Sequence, residues 1–181
     1  MENLLDDCIG ISENRLKHSY NVAKECYKIA NEIFNRDDTF CDKMFVIGFN
    51  HDIGYEFTPK EAKHTHNEIG AVLISDAIEH NKETEFSNAI KWHGNPNTPD
   101  DMRTLEWYIL NMADMTVDSK GVKVTMNTRL KDIASRQGTD SMAYKDASEI
   151  ARQLREWLKM MEVKYNIDHK LLAFYYFSYY L

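Results

Sequence analysis

Apolar side chains recur at intervals of three and four residues along most of the chain, which is the spacing of amphipathic α-helices. Ser12 is a suitable N-cap for the first helix, which we expect to run to about Asn35. Its apolar seam is Leu16, Tyr20, Ala23, Tyr27, Ala30 and Phe34, widened by Val22, Cys26, Ile29 and Ile33. Thr39 and Asp42 have the spacing of a capping box, and they predict a second, buried helix that ends near Gly54.

The same pattern predicts a short helix that starts at Thr58-Pro59 and then longer helices over 66–80, 83–93, 100–118, 126–138 and 147–161. Gly70 falls inside one of them, where glycine costs about 1 kcal/mol relative to alanine, so we expect another backbone to approach closely there. The aromatic segment 171–181 must pack on the domain or on another subunit, which leaves a homodimer open. The chain is therefore predicted to be all-α.

Composition narrows the class of protein. With 181 residues, of which 43% are hydrophobic and 28% are charged, the chain is typical of a soluble globular protein. The net charge of −7 argues against a nucleic-acid duplex as partner. The three cysteines, Cys8, Cys26 and Cys41, form no Cys-x-x-Cys pair and indicate free thiols in a reducing compartment. Without a basic leader or a membrane-length apolar run, we expect a cytoplasmic protein with no membrane partner.

Candidate metal ligands stand where charged or polar residues interrupt apolar patterns. His51 and Asp52 close the apolar run 44–49, and the carboxylate of Asp52 has two oxygens with which to bridge two ions. His66, His93 and Asp114 each share a stripe with apolar residues, and an aspartate there needs a positive partner. His18 lies at the edge of a buried face, a position that suits an inward ligand and a hydrogen-bonded core histidine equally well.

The mixture of imidazole and carboxylate suits Fe, Mn, Zn, Ni or Co better than Ca. Ligands from separate helices can meet only in the middle of a helical bundle. Two ions bridged by a carboxylate can lower the pKa of a shared water and hold an attacking and a leaving oxygen. This is the chemistry that hydrolysis of a phosphoester requires.

The order His18, His51-Asp52, Asp114 resembles the H…HD…D signature of the HD-domain superfamily of metal-dependent phosphohydrolases. Further matching motifs are Arg15-x-x-His18, His-Asp-Ile-Gly at 51–54, His66-x-x-x-Gly70-Ala71 and Ile90-x-x-His93. The resemblance implies an HD-domain-like helical bundle with extra C-terminal helices. Residues 1–120 would form the metal-binding helical domain, and residues 121–181 a helical extension packed on it. The six-ligand form is similar to the dinuclear HDIG-type branch of the family.

Carried over by motif, the resemblance implies that one metal is held by His18, His51, Asp52 and Asp114. His66 and His93 would complete the site of the second, with Asp52 bridging and orienting a metal-bound hydroxide as the catalytic residue. Arg15 and Lys91 are candidates to contact substrate phosphate, with a solvated surface charge as the alternative for each. Tyr55 stands where several phosphodiesterase relatives carry Lys, which argues against cleavage of cyclic dinucleotides.

The implied function is a phosphomonoesterase or phosphodiesterase acting on a nucleotide or another small anionic phosphoester. Two alternatives stay open at this stage. A di-iron oxygenase can use the same ligands, and a non-catalytic nucleotide-binding module can keep the same fold. Substrate specificity is expected from the loops over 55–64 and 94–101 and from the C-terminal helices.

Overall fold

The computed structural model describes residues 10–78 and 84–165 of the chain. These residues form seven α-helices: α1 Glu13–Lys28, α2 Asp38–Asn50, α3 His66–Ile78, α4 Thr84–Trp92, α5 Leu105–Asp114, α6 Met126–Gln137 and α7 Met142–Tyr165. A π-helical turn, Ile29–Ile33, extends α1, and 3-10 turns occupy Ile53–Glu56, Lys60–Thr65 and Asp100–Met102. Over the described ranges there is no β-strand, so the predicted all-α fold is confirmed.

The helix boundaries agree with the predicted caps in some places and differ in others. Ser12 caps α1 as predicted, because its hydroxyl accepts a hydrogen bond from the Arg15 N–H at 3.2 Å. The start predicted for α2 is wrong: Asp37, two residues before Thr39, accepts from the Phe40 N–H at 2.8 Å. Two neighbouring residues could cap this helix, and the aspartate is the one with the extended backbone that capping requires.

The predicted helix over 100–118 is shorter in the structure. Its first residues form only the 3-10 turn Asp100–Met102, and Arg103 then leaves the helical region of backbone angles. Thr104 begins α5 instead, because its side chain accepts from the Trp107 N–H. The helix ends at Asp114, and a loop follows in which Val117 and Lys123 form an isolated antiparallel bridge.

The predicted apolar seam of α1 is wrong at its first two positions. Leu16 and Tyr20 expose 50% and 49% of their surface, whereas Val22, Cys26 and Ile29 are completely buried. The apolar residues of α1 spread over nearly half of its circumference, so periodicity alone does not define the packed face. Packing against α2 decides it, because α2 approaches most closely at Ala23 and Cys26.

The C-terminal helices share the core of the preceding ones. Trp157 of α7 is buried, and its ring stacks on Tyr108 of α5 with ring centroids 3.9 Å apart and planes 11° from parallel. Met126 of α6 and Ile150 and Leu154 of α7 belong to the same buried cluster. The predicted division near residue 120 stays a prediction, and the aromatic segment 171–181 lies outside the described residues. Each helix that the structure describes is too short or too polar to cross a membrane.

Candidate metal centre

The six predicted ligands converge in the structure, and each lies in or directly beside a helix. They are His18 in α1, His51 at the C-cap of α2, Asp52 directly after it, His66 at the start of α3, His93 after α4 and Asp114 at the end of α5. Four of them are buried, and His66 and Asp114 are half-buried. Five separate segments of the chain therefore meet at one point.

Asp52 lies at the centre of the cluster. Its Oδ1 atom is 3.7 Å from Nε2 of His51 and 3.8 Å from Nε2 of both His66 and His93. The ligand atoms of His18, His51 and Asp52 lie within 4.8 Å of one another, and so do those of Asp52, His66 and His93. Two groups of three ligands therefore share one carboxylate.

Three of the four histidines are held by backbone carbonyls. Nδ1 of His18 lies 2.9 Å from the Asp118 carbonyl oxygen. Nδ1 of His51 lies 2.7 Å from the Gly48 carbonyl oxygen, and Nδ1 of His93 lies 2.6 Å from that of Ile90. A carbonyl only accepts hydrogen bonds, so in each neutral ring the proton resides on Nδ1 and the lone pair on Nε2. Such second contacts are the usual way in which proteins orient histidine ligands.

The remaining ligand, Asp114, faces one of these lone pairs. Its Oδ1 atom lies 3.0 Å from Nε2 of His18. Two electron-rich atoms at that separation repel each other unless a proton or a metal cation lies between them. The arrangement fits a divalent ion, because carboxylate and imidazole are both common ligands of such ions.

The electrostatics keep the carboxylates in their ligand form. Burial alone raises the pKa of Asp52, but His51, His93 and Arg15 hold that pKa well below its usual range. The pKa of Asp114 is also lowered, because the contact with His18 and the charge of Arg129 outweigh burial. Burial lowers the pKa of His51, so this ring is neutral and can bind a metal. In His93 burial acts in the same direction, but the charge of Asp52 raises its pKa.

Gly54 brings the His51-Asp52 segment onto the start of α3. A Cβ atom at this position would lie 1.8 Å from the His66 carbonyl oxygen and 2.8 Å from the Gly70 nitrogen. The close backbone approach expected at Gly70 is therefore confirmed, and its tightest point is at Gly54. This contact places His66 beside Asp52, because the two ligands are carried by the two backbones that touch.

The loop after α5 fixes His18 from the other side. Gly121 in this loop has φ of +81°, and a Cβ there would lie 2.8 Å from the Lys17 carbonyl oxygen. The loop therefore packs directly on α1, where the Asp118 carbonyl reaches His18. The Asp118 side chain instead accepts hydrogen bonds from the backbone of Lys120 and Val122. Sequence reasoning missed this role because a backbone carbonyl has no side-chain signal.

Of the two predicted phosphate contacts, the structure brings only Arg15 to the centre. Its Nη1 atom donates to Oδ2 of Asp52 at 2.8 Å, and its guanidinium lies 3.7 Å from the centre of the Tyr55 ring. Tyr55 in turn stacks on His66 with ring centroids 3.8 Å apart. Burial and the charge of Asp52 raise the pKa of Tyr55 to about 12, so it is a neutral phenol. Lys91 is exposed and lies over Trp92, outside the residues that line the cleft.

A cleft of about 540 Å³ opens above the ligands. One wall consists of ligands, asparagines and Tyr55, and the other is built by α6 and α7. Arg129 of α6 lies against a candidate ligand, with its Nη2 atom 3.6 Å from Oδ1 of Asp114. Arg129 was not among the predicted site residues, although a sequence signal was present. It lies three residues after Met126 and four before Ile133, so a charge interrupts an apolar stripe there as it does at Asp114.

These features define an all-α protein with a buried cluster of histidine and aspartate that suits divalent metals. A family model described as HD domain matches residues 15–125, and the chain belongs to this family. HD-domain proteins are generally metal-dependent phosphohydrolases, and they bind divalent metals. No curated protein and no solved structure matches the chain. The match ends one residue before α6, so the second wall of the cleft lies outside it.

Proposed function

We propose that the protein hydrolyses a nucleotide or another small phosphoester, as a phosphomonoesterase or phosphodiesterase that uses two divalent transition metals. The observation that carries the proposal is the position of Asp52, whose carboxylate is common to two groups of ligands. One ion would be held by His18, His51, Asp52 and Asp114. The other would be held by His66 and His93, with Asp52 shared.

The ligands favour a transition metal such as Fe, Mn, Ni, Co or Zn, since imidazole nitrogens predominate. When bound, such a pair of ions polarises a phosphoryl oxygen and lowers the pKa of a water molecule. The hydrogen bonds from Nδ1 of His18, His51 and His93 to carbonyls keep each Nε2 available without further rearrangement. This preorganisation supports catalysis more than a purely structural role of the histidines.

Arg15 is suited to bind the phosphate that is cleaved. Its guanidinium lies against Asp52, and it is oriented by the Tyr55 ring. Arginine presents a planar fork of donors that matches the oxygens of a phosphate group. Arg15 donates a hydrogen bond to Oδ2 of Asp52 in this structure. If Asp52 were shared by two ions, Arg15 would release this oxygen and donate to a phosphate oxygen of the substrate instead.

The cleft supports a small substrate. Its volume of about 540 Å³ is within the range of about 300–1,000 Å³ typical of small-molecule sites. Amide side chains of Asn67, Asn95 and Asn97 line it, and they can both donate to and accept from a sugar or a base. These features favour a nucleotide over a bare phosphate.

The test is release of phosphate or nucleotide from a panel of phosphoesters by protein supplied separately with Mn, Fe, Ni, Co or Mg. Asp52→Ala should abolish release and lower the bound metal. Asp140→Ala is the matched control, because Asp140 is exposed and far along the chain from every ligand. Oxygen consumption is measured in parallel for the iron form. Full activity of Asp52→Ala would refute the site, and oxygen uptake without any phosphoester cleavage would refute the hydrolase.

A further inference from the structure

The α6 helix presents two arginines to the cleft that the proposed chemistry does not use. Arg129 and Arg136 both line it, and they are seven residues apart. With a rise of 1.5 Å per residue this is about 10 Å along the helix. Arg129 is next to the candidate metal centre, because it lies beside Asp114, and Arg136 lies about two turns further along the helix.

Arg129 has donors that no described residue satisfies. One atom, Nη1, donates to Asp132 at 3.1 Å, while Nη2 is 3.6 Å from Asp114, which is too long for a hydrogen bond. Its Nε is buried and has no hydrogen-bond partner within the described part of the chain, and only 11% of the side chain is exposed. A guanidinium cannot lose its proton, and the Nε atom is closed off from the cleft, so the unused donors of Nη2 are the ones that favour an anion.

Asp132 holds the two arginines together. It accepts from Nε and Nη2 of Arg136 at 3.1 Å and 2.9 Å, as well as from Arg129. Asp132 is not itself among the residues that line the cleft. It therefore fixes one side of each guanidinium, leaves further donors for a ligand, and neutralises only one of the two positive charges.

The charge of the cleft indicates how much negative charge a ligand would carry. Its lining contains three arginines and three aspartates and no lysine among the described residues, so it has no net formal charge with neutral histidines. Two divalent ions would make it strongly positive. One phosphate at Asp52 and Arg15 would leave much of that charge unmatched.

We propose that Arg129 and Arg136 form a subsite for a second phosphate group, beyond the one that is cleaved. The substrate class is then a phosphoester with a diphosphate or longer chain, and a monophosphate leaves this subsite empty. This inference rests on the proposed function for the position of the first phosphate. The subsite itself lies on α6, beyond the matched residues 15–125.

The test is equilibrium binding of methylenediphosphonate, which cannot be hydrolysed at its P–C–P bridge, compared with methylphosphonate. Calorimetric titrations use full-length protein with the same Mn concentration in cell and syringe, and bound metal is measured afterwards. The parent should bind the diphosphonate at least tenfold more tightly than the monophosphonate. Arg136→Gln and Arg129→Gln should reduce this ratio to below threefold, with unchanged metal content. Arg152→Gln is the matched control.

Arg152 makes the same kind of ion pairs on its own helix, with Glu149 and Glu156, but it does not line the cleft, so its loss should preserve the ratio. If Arg129→Gln loses metal because Arg129 is near Asp114, the binding ratio of Arg136→Gln alone tests the inference. An equal ratio in parent and Arg136→Gln, or no preference in the parent, overturns the inference. Binding needs no turnover. If the protein prefers the diphosphonate but hydrolyses no phosphoester, only the proposed function is refuted. If it hydrolyses a phosphoester but has no preference for the diphosphonate, only the subsite is refuted.

Discussion

Replacing Gly54 by alanine tests whether the contact between the His51-Asp52 segment and α3 builds the metal centre. The added Cβ would lie 1.8 Å from the His66 carbonyl oxygen and 2.7 Å from its carbonyl carbon. Real Cβ atoms essentially never come closer than 3.0 Å to a neighbour. The two backbones must therefore separate by about 1.2 Å, which is the difference between 3.0 Å and 1.8 Å. No side-chain rotation can relieve the contact, because every atom involved belongs to the backbone.

The expected cost is at the upper end of the overpacking range. Extra methyl groups in packed interiors typically cost about 1–3 kcal/mol, and here a shift of backbone is required, so we expect a loss of about 3 kcal/mol or more. The same shift moves His66 away from Asp52, and the protein should therefore bind less metal. Urea denaturation of the metal-free protein gives the first quantity, and elemental analysis of the metal-loaded protein gives the second.

Gly70→Ala is the matched control on the opposite side of the contact. Its Cβ would lie 3.4 Å from the Gly54 nitrogen and 3.4 Å from Cγ2 of Ile90, which is ordinary van der Waals distance. Gly70 is inside a helix, so alanine should be tolerated and can add up to about 1 kcal/mol. If Gly54→Ala is as stable as the parent within about 0.5 kcal/mol and keeps its full metal content, the close approach does not hold the site together.

Four further predictions concern the ligands and their supports. Mn should raise the thermal midpoint of unfolding and EDTA should reverse the rise, because an ion at a hundredfold its Kd stabilises the folded protein by about 2.7 kcal/mol. Elemental analysis of His66→Ala should show the loss of one of the two bound ions. An unchanged metal count would contradict the shared carboxylate. Asn111→Ala should cost about 1–3 kcal/mol in urea, because its buried Oδ1 accepts from the Gly94 N–H at 2.8 Å beside His93. The folded-state pKa of Asp114 lies below its ordinary 3.8, so its ionised form stabilises the metal-free protein above that pH and less as the pH falls. Asp114→Asn should therefore be less stable than the parent at pH 7, and this difference should narrow below pH 3.8; a constant difference would refute the electrostatic explanation.

The candidate ligands could be named from the sequence for two reasons: their order resembles the HD-domain signature, and His66, His93 and Asp114 interrupt apolar stripes. A charged or polar residue on an apolar stripe needs a partner inside the protein, and several such residues on separate helices can find it at one place. Asp114 illustrates this: it lies on the stripe of Leu110 and Val117, both of which are buried, and the structure directs it to His18. The prediction required no knowledge of how the helices cross.

What could not be predicted depends on competition between nearby alternatives. Asp37 and Thr39 can both cap α2, and the choice is made by backbone angles that tertiary packing sets. The buried face of α1 is decided by the approach of α2, so Leu16 and Tyr20 are exposed although their spacing is helical. The prediction of site residues has the same limit. Lys91 is close to His93 along the chain, but this distance does not determine the direction of its side chain.

The candidate metal ligands and the cleft-facing arginines of α6 lie in different parts of the chain. Residues 15–125 contain every candidate metal ligand, and they match the HD-domain family as a unit. Arg129 and Arg136 come from the next helix, and Asp132 holds them by contacts within that helix alone. If the proposed subsite is correct, replacing Arg136 changes which anion binds and leaves every candidate metal ligand in place. Substrate preference and metal binding can then be separated by mutation on α6, because its cleft-facing residues contribute no ligand to the candidate metal centre.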